Sequence, residues 1–300
     1  MQILINAGFP FIGKDFIGTW KDSIGEANSE GFYESSLRTG INFTTNPNPG
    51  SGTYLHPHTT TNYAAKVFVP GLVRTDFAFI HRVVATVRRW DEYCVSFERL
   101  MAMEADFMSR LPERPGEPPP RAMAIISRPN VHPALMWWKD NFNLVSDTLT
   151  RRYPIQVVTY GRLLEAPEEV LPPILKWCDN VLPTDLFEHQ PVPGLNIEKA
   201  VGCVNPDLRT QVQPIVDDHG LPQEAIRAFD DLYDCFHSQG ASLSRTLRDH
   251  LNQVQSLLAP VHARQVKAGI HRKSEKLLAL GLPKHKVQAI LFRQSSKTHK

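Results

Sequence analysis

The sequence predicts an α/β protein with a short, mostly parallel sheet, crossover helices and an α-helical C-terminal extension. Three observations predict it. Between residues 64 and 179, β-branched apolar runs alternate with stretches of helical period, the order that gives parallel strands joined by crossovers. From Pro222 onward the pattern is helical to the end. Finally, 300 residues at 42% apolar and 21% charged can bury a large core without a disulfide or metal staple. The expected division is an α/β domain over 1–220 and a helical extension with a basic tail over 221–300.

Taken in order, residues 1–60 are polar and irregular, and the Gly-, Asn-, Thr- and Pro-rich stretch 42–62 reads as loop. Met1–Ile5, taken alone, is apolar enough for a strand. The first clear strand is 64–69, stopped by Pro70-Gly71. The second, 81–87, is β-branched and mostly apolar, as a strand buried on both faces is. A helix follows from Asp91 to about Arg110, with Tyr93, Phe97, Leu100 and Met101 at three- and four-residue spacing. Five prolines within 111–121 predict an extended loop. Residues 133–151 read as a helix, 155–159 as a third strand and 167–178 as a helix. That last helix has Pro167 in its first turn and Glu168 and Glu169 near the positive end of its dipole. The C-terminal helices are expected to break at Gly240, Pro260, Gly281 and Pro283.

No stretch approaches the ~18 consecutive apolar residues of a spanning helix, and the opening residues lack the basic region and apolar core of a signal peptide. The expectation is a cytoplasmic protein with no integral membrane segment. Cys94, Cys178, Cys203 and Cys235 are isolated and read as small buried hydrophobes. His56-Pro57-His58 lies in the polar loop without a third ligand placed by sequence, and no metal site is expected. The net charge of +2 conceals an asymmetry. Residues 261–300 carry ten Lys or Arg and one acid, Glu275, for +9; the other 260 residues carry 23 basic and 30 acidic groups, for −7. The tail reads as two amphipathic pieces, 272–280 and 284–292, around Gly281-Leu282-Pro283. They either form a helical hairpin docked on the core with solvated lysines, or contact an anionic surface such as nucleic acid, lipid headgroups or the acidic body.

The sharpest constellation is the strand-to-helix junction Val87-Arg88-Arg89-Trp90-Asp91-Glu92, with Ser96 two turns into the helix. An arginine leaving the carboxyl end of a buried strand lies where open α/β sheets bind ligands. An arginine fork and a hydroxyl can share one phosphate; alternatively the arginine caps the sheet or pairs with Asp91 or Glu92. Trp137-Trp138 diverge by about 100° on their helix; one is expected in the core, the other stacking a ligand or covering the Pro-rich loop.

The strand, R-x-x-x-x-x-x-x-S, helix order resembles the 3′-phosphate-binding element of the sulfotransferase family, which uses 3′-phosphoadenosine 5′-phosphosulfate (PAPS). Three further segments fall in that family's order. Asn6-Ala7-Gly8-Phe9-Pro10 with Asn28-Ser29-Glu30-Gly31-Phe32-Tyr33-Glu34 is similar to the "NAGG-P … NP-GY-E" stretch of bacterial members. Lys66-Val67-Phe68-Val69-Pro70 resembles "K-x-x-x-P", and Tyr160-Gly161-Arg162-Leu163 with Pro167 resembles "Y-E-x-L-x-x-x-P". The resemblance covers about residues 1–180. It implies a P-loop-NTPase-like three-layer fold and sulfuryl transfer from PAPS, as co-substrate, to a hydroxyl or amine, without a metal. Arg88, Ser96 and Tyr160 would bind the nucleotide; Glu34 (with Glu30 as fallback) would be the base, and Lys66 would supply transition-state charge.

Two departures qualify this. The family's P-R-S-G-T-like phosphosulfate loop would precede the NAGG-like segment and is not found here. Met1–Ile5 then correspond to the end of the helix after that loop, and an anion cradle at Gly8 or Gly13-Lys14 is the alternative. Cytosolic members place a histidine where this chain has Phe68. A catalytically inactive sulfotransferase-like binding or scaffold protein is the rival reading. A P-loop nucleotide kinase is disfavoured by the lack of G-x-x-x-x-G-K-[ST]. Acceptor choice would lie in loops such as 42–62 and 111–132.

Overall fold

A computed structural model describes residues 1–115, 117–180, 191–205, 221–239 and 244–298. The protein is mixed α/β and mostly helical, with a few short parallel strands. Its N-terminal part holds α1 (Gln2–Ala7), β1 (Phe11–Ile12), α2 (Trp20–Ile24), β2 (Ala64–Ala65) and α3 (Val69–Leu72). The middle holds β3 (Val83–Val87), α4 (Trp90–Ser109), α5 (Pro120–Ser127), α6 (Pro133–Arg151), β4 (Ile155–Thr159), α7 (Tyr160–Glu165) and α8 (Pro167–Asp179). Then come α9 (Ile197–Gly202), α10 (Gln223–Gln239), α11 (Arg245–Ala279) and α12 (Lys284–Thr298).

The strands form two separate parallel pairs, β1 with β2 and β3 with β4. In the second pair, Val83 faces Ile155 and Val87 faces Thr159, so side chains alternate between two helical layers. Ala85, Val87, Ile155 and Val157 enter a core built with α4, α6, α10 and α11. Val84 and Val158 enter a second core with α1, α8 and α9, which also takes Ala64 of β2. The first core centres on Phe229, fully buried, whose ring meets Trp90, Trp137 and Trp138 at centroid distances of 5.8, 5.9 and 5.3 Å. Aromatic pairs of this kind add about 0.5–1.5 kcal/mol each beyond their buried area.

Several expectations need correction. The segment 64–69 is strand only at Ala64–Ala65, and Pro70 opens helix α3 instead of ending a strand; a proline fits a first helical turn because its missing N–H has no partner there. β3 is not buried on both faces, since Thr86 is exposed. Gln2–Ile5 belong to helix α1, with Met1 as its N-cap, not to a strand. The stretch 42–62 is loop but not loose: Asn46 exchanges two hydrogen bonds with Leu55, at 2.8 and 2.9 Å. The Pro-rich segment turns helical at Pro120. Pro260 does not break α11, whose face Leu251, Val254, Leu258 and Val261 is buried on both sides of it; the break expected at Gly240 lies outside the described residues. Both adjacent tryptophans are core. Trp137 donates to the Arg88 carbonyl (2.8 Å) and Trp138 to Gln255 of α11 (2.8 Å), because α6 is covered on two sides.

The basic tail does form a helical hairpin. The end of α11 and the start of α12 dock on α5 through Leu277, Val287 and Ala122. One of its lysines is not solvated: Lys273 is buried, and its Nζ donates to the Ile126 carbonyl at 2.9 Å. Among the described residues no helix is long and apolar enough to cross a membrane.

Candidate functional site

Each of the four strands delivers a candidate residue beyond its carboxyl end. After β1, the Lys14 backbone N–H bonds the Glu34 carbonyl at 3.0 Å, which fixes Glu34 beside the strand end. Immediately after β2 comes Lys66, after β3 Arg88, and after β4 Tyr160. In open parallel sheets this end is where ligands bind, because strand and crossover geometry leaves a crevice there.

Glu34 and Lys66 are brought together. Glu34 is 2% exposed, so it is not the exposed turn acid that its sequence context allows; Glu30, the fallback, is exposed. Its Oε1 lies 2.9 Å from Lys66 Nζ and its Oε2 lies 3.7 Å from Arg38 Nε. Oε2 is buried and accepts no hydrogen bond among the described residues. Buried carboxylate oxygens are ordinarily bonded, so Oε2, held here only by the long Arg38 ion pair, keeps unused acceptor capacity. Lys66 is one-third exposed and also donates to the Phe32 carbonyl at 3.2 Å, between the rings of Phe32 (5.6 Å) and Phe68 (5.9 Å). It is therefore not a free lysine on a strand edge. Phe68 is a wall of this site.

Arg88 and Tyr160 are also brought together, one step past the last sheet pair Val87–Thr159. The guanidinium carbon lies 4.2 Å over the Tyr160 ring, close enough for cation–π attraction. Among the described residues the Arg88 guanidinium forms no ion pair. Its neighbour Arg89 takes the carboxylates instead: Nε to Asp91 (3.0 Å) and Nη2 to Asp230 of α10 (3.1 Å). Strand alternation sends the two side chains opposite ways, so the two arginines meet different partners, carboxylates for Arg89 and an aromatic ring for Arg88. Ser96 lies half-buried in the second turn of α4, and its hydroxyl makes no hydrogen bond among the described residues.

The proposed alternative cradle at Gly8 or Gly13-Lys14 is already occupied internally. The Gly8 N–H closes α1 on Ile5 O at 3.0 Å, and the Lys14 N–H is the one spent on Glu34 O. Among the described residues no cluster of His, Cys, Asp and Glu suits a metal ion. Burial pushes the Cys94 thiol up to about 12 and that of Cys178 up to about 11, which disfavours the nucleophilic thiolate at both.

Sequence reasoning missed the contribution of α10. Asp230, Tyr233 and His237 form an i, i+3, i+7 stripe that faces the ends of β3 and β4. Asp230 accepts from Trp90 Nε1 at 2.9 Å, and His237 Nδ1 is 2.9 Å from the buried Thr159 hydroxyl. His237 stacks on Tyr233, whose hydroxyl lies so close that a Cβ on Gly161 would come within 3.1 Å of it. The polar stripe was visible in the helical spacing, but its target strands were not. No family model, curated protein or solved structure matches this chain.

Proposed function

We propose that the protein is a PAPS-dependent sulfotransferase with a P-loop-NTPase-like three-layer arrangement, moving a sulfuryl group to an acceptor hydroxyl or amine. The observation that carries this is the meeting of two residue pairs, Glu34–Lys66 and Arg88–Tyr160, each beyond the carboxyl ends of parallel strands. The resemblance described above assigns Arg88 and Tyr160 to the nucleotide and Glu34 and Lys66 to the chemistry. On the donor's 3′-phosphate side, the Arg88 guanidinium, which forms no ion pair among the described residues, lies over an aromatic ring, and the Ser96 hydroxyl makes no hydrogen bond among them; a fork and a hydroxyl can share one phosphate.

PAPS supplies the sulfuryl group, which passes to the acceptor atom as the bond between sulfur and the 5′-phosphate oxygen breaks. The chain's own residues position and stabilise. Arg88 and Ser96 hold the 3′-phosphate and Tyr160 lies against the nucleoside. Glu34 Oε2, with its unused acceptor capacity, takes the proton lost by the acceptor hydroxyl or amine. Lys66 supplies positive charge where negative charge builds on the bridging oxygen, the term that dominates loose in-line transfers of this type.

The test is thermal stability with 3′-phosphoadenosine 5′-phosphate, the donor's product, for wild type and Arg88→Ala, followed by a sulfuryl-transfer screen over acceptors. Ligand at about 100 times its Kd adds roughly 2.7 kcal/mol, a shift of several degrees. A shift that vanishes in Arg88→Ala supports the nucleotide site. No shift at millimolar ligand refutes it, and a shift with no transfer to any acceptor leaves a binding protein instead of an enzyme.

A further inference from the structure

The α11–α12 hairpin holds a basic segment whose charge exceeds the chain's net +2, and the site at the strand ends makes no use of it. Residues 261–300 sum to +9, with Glu275 as the one acid, its carboxylate 3.3 Å from His271 Nε2. Among the described residues, Arg264, Lys267, Arg272, Lys276, Lys284 and Lys286 are exposed and none forms an ion pair.

The same surface also exposes apolar groups. The hairpin's inward face is used by Leu277 and Val287 against α5, yet Leu278 is 43% exposed, Leu280 40% and Phe292 76%. Helical spacing interleaves them with the cations. Arg272, Lys276 and Leu280 share one stripe at i, i+4, i+8, and Lys284, Gln288 and Phe292 share the other. A surface that only met phosphates in water would have no use for leucine and phenylalanine among its lysines. A surface that met headgroups and the acyl boundary beneath them uses both.

We propose that the α11–α12 hairpin is a peripheral docking surface for anionic lipid bilayers, with Lys276, Lys284 and Lys286 on the headgroups and Leu280 and Phe292 at the acyl boundary. The inference is independent of the sulfotransferase reading. It places the chain on a membrane surface without spanning it.

The test is co-sedimentation of the full chain with phosphatidylcholine vesicles, with and without phosphatidylserine, at low and raised salt. Binding is expected only with phosphatidylserine and should weaken as salt rises. Lys284→Glu with Lys286→Glu should lower the partition coefficient by about tenfold or more. Leu280→Ser with Phe292→Ser keeps every charge and should also lower it several-fold; all four side chains are exposed, so the thermal midpoint of each variant should match wild type. No sedimentation with phosphatidylserine vesicles overturns the proposal. So does binding that the Leu280 and Phe292 substitutions leave unchanged. Retention on duplex DNA without vesicle binding overturns it in favour of a nucleic-acid surface, and concentration-dependent dimerisation through Phe292 overturns it in favour of self-association.

Discussion

Arg88 and Arg89 are neighbours in sequence and opposites in use. The Arg89 guanidinium is held by Asp91 and Asp230, while that of Arg88 lies over Tyr160 and pairs with no carboxylate among the described residues. The structure thus separates a structural arginine from one available to an external anion, although both leave the same strand.

Mutations should therefore divide cleanly. Arg88→Ala should change the thermal midpoint by less than a degree or two, because surface changes away from ion pairs are usually within about 0.5 kcal/mol, and it should abolish stabilisation by the nucleotide. Asp230→Ala should destabilise by about 1–3 kcal/mol, since it leaves the buried Trp90 indole N–H without its acceptor as well as freeing Arg89. Denaturant unfolding with and without the nucleotide separates the two. A destabilised Arg88→Ala or a neutral Asp230→Ala contradicts the division.

Glu34 and Lys66 make an asymmetric pair, one buried and one at the boundary. Lys66→Ala removes the closest charge from a buried carboxylate and should destabilise by about 2 kcal/mol or more, somewhat below the cost for fully buried pairs because solvent reaches the lysine. Glu34→Gln removes the buried charge and should destabilise less, while eliminating sulfuryl transfer and preserving nucleotide binding. In the double variant the losses should be less than additive. Equal costs that add fully would mean that the two groups do not interact.

How much of this was legible depended on how local the cause was. Helix α6 and strand β4 lie where their own residues put them, Pro133 opening the helix and Ile155–Thr159 supplying β-branched character. The strand expected over 64–69 shrank to two residues, because a β-rich segment is a strand only where a partner pairs with it, and β1 offers only Phe11 and Ile12. Helices α5 and α7 are one or two turns long and follow directly on a Pro-rich loop and a strand, so no period had room to show. Glu34 and Lys66 entered through motif order, but their pairing is a tertiary fact. The separate fates of Arg88 and Arg89 depend on Asp230, 140 residues or more away in sequence from either, and the burial of both Trp137 and Trp138 depends on α10 and α11.

Gly40 and Gly71 cross so closely that no side chain fits. A Cβ on Gly71 would lie 2.6 Å from Gly40 N and 2.7 Å from Arg38 O, both backbone atoms that cannot swing aside. Gly40 additionally has φ +105°, which L side chains rarely adopt. Because Arg38 and Lys66 flank this crossing, Gly71→Ala should destabilise by about 1–3 kcal/mol or more and disturb the Glu34 site. Unfolding measurements alongside nucleotide binding check this; an unaffected midpoint would mean that the crossing relaxes freely.

Asp140 gives the fold a pH dependence of its own. Burial on α6 holds its carboxyl above the ordinary value, up to about 6, with Lys139 pulling weakly the other way. Between the ordinary carboxylate pKa near 4 and the folded value, the native state binds more of this proton than the unfolded state does, so stability falls as pH rises through that window. Below pH 4 the group is neutral in both states and costs nothing; above pH 6 the full penalty of a half-buried anion applies, up to about 2–3 kcal/mol. Asp140→Asn should therefore raise stability at pH 7 to 8 and leave it unchanged at pH 4. Urea midpoints for wild type and variant across pH 4 to 8 should diverge as pH rises. Parallel curves would mean that Asp140 is solvated when ionised and that the pH dependence arises elsewhere.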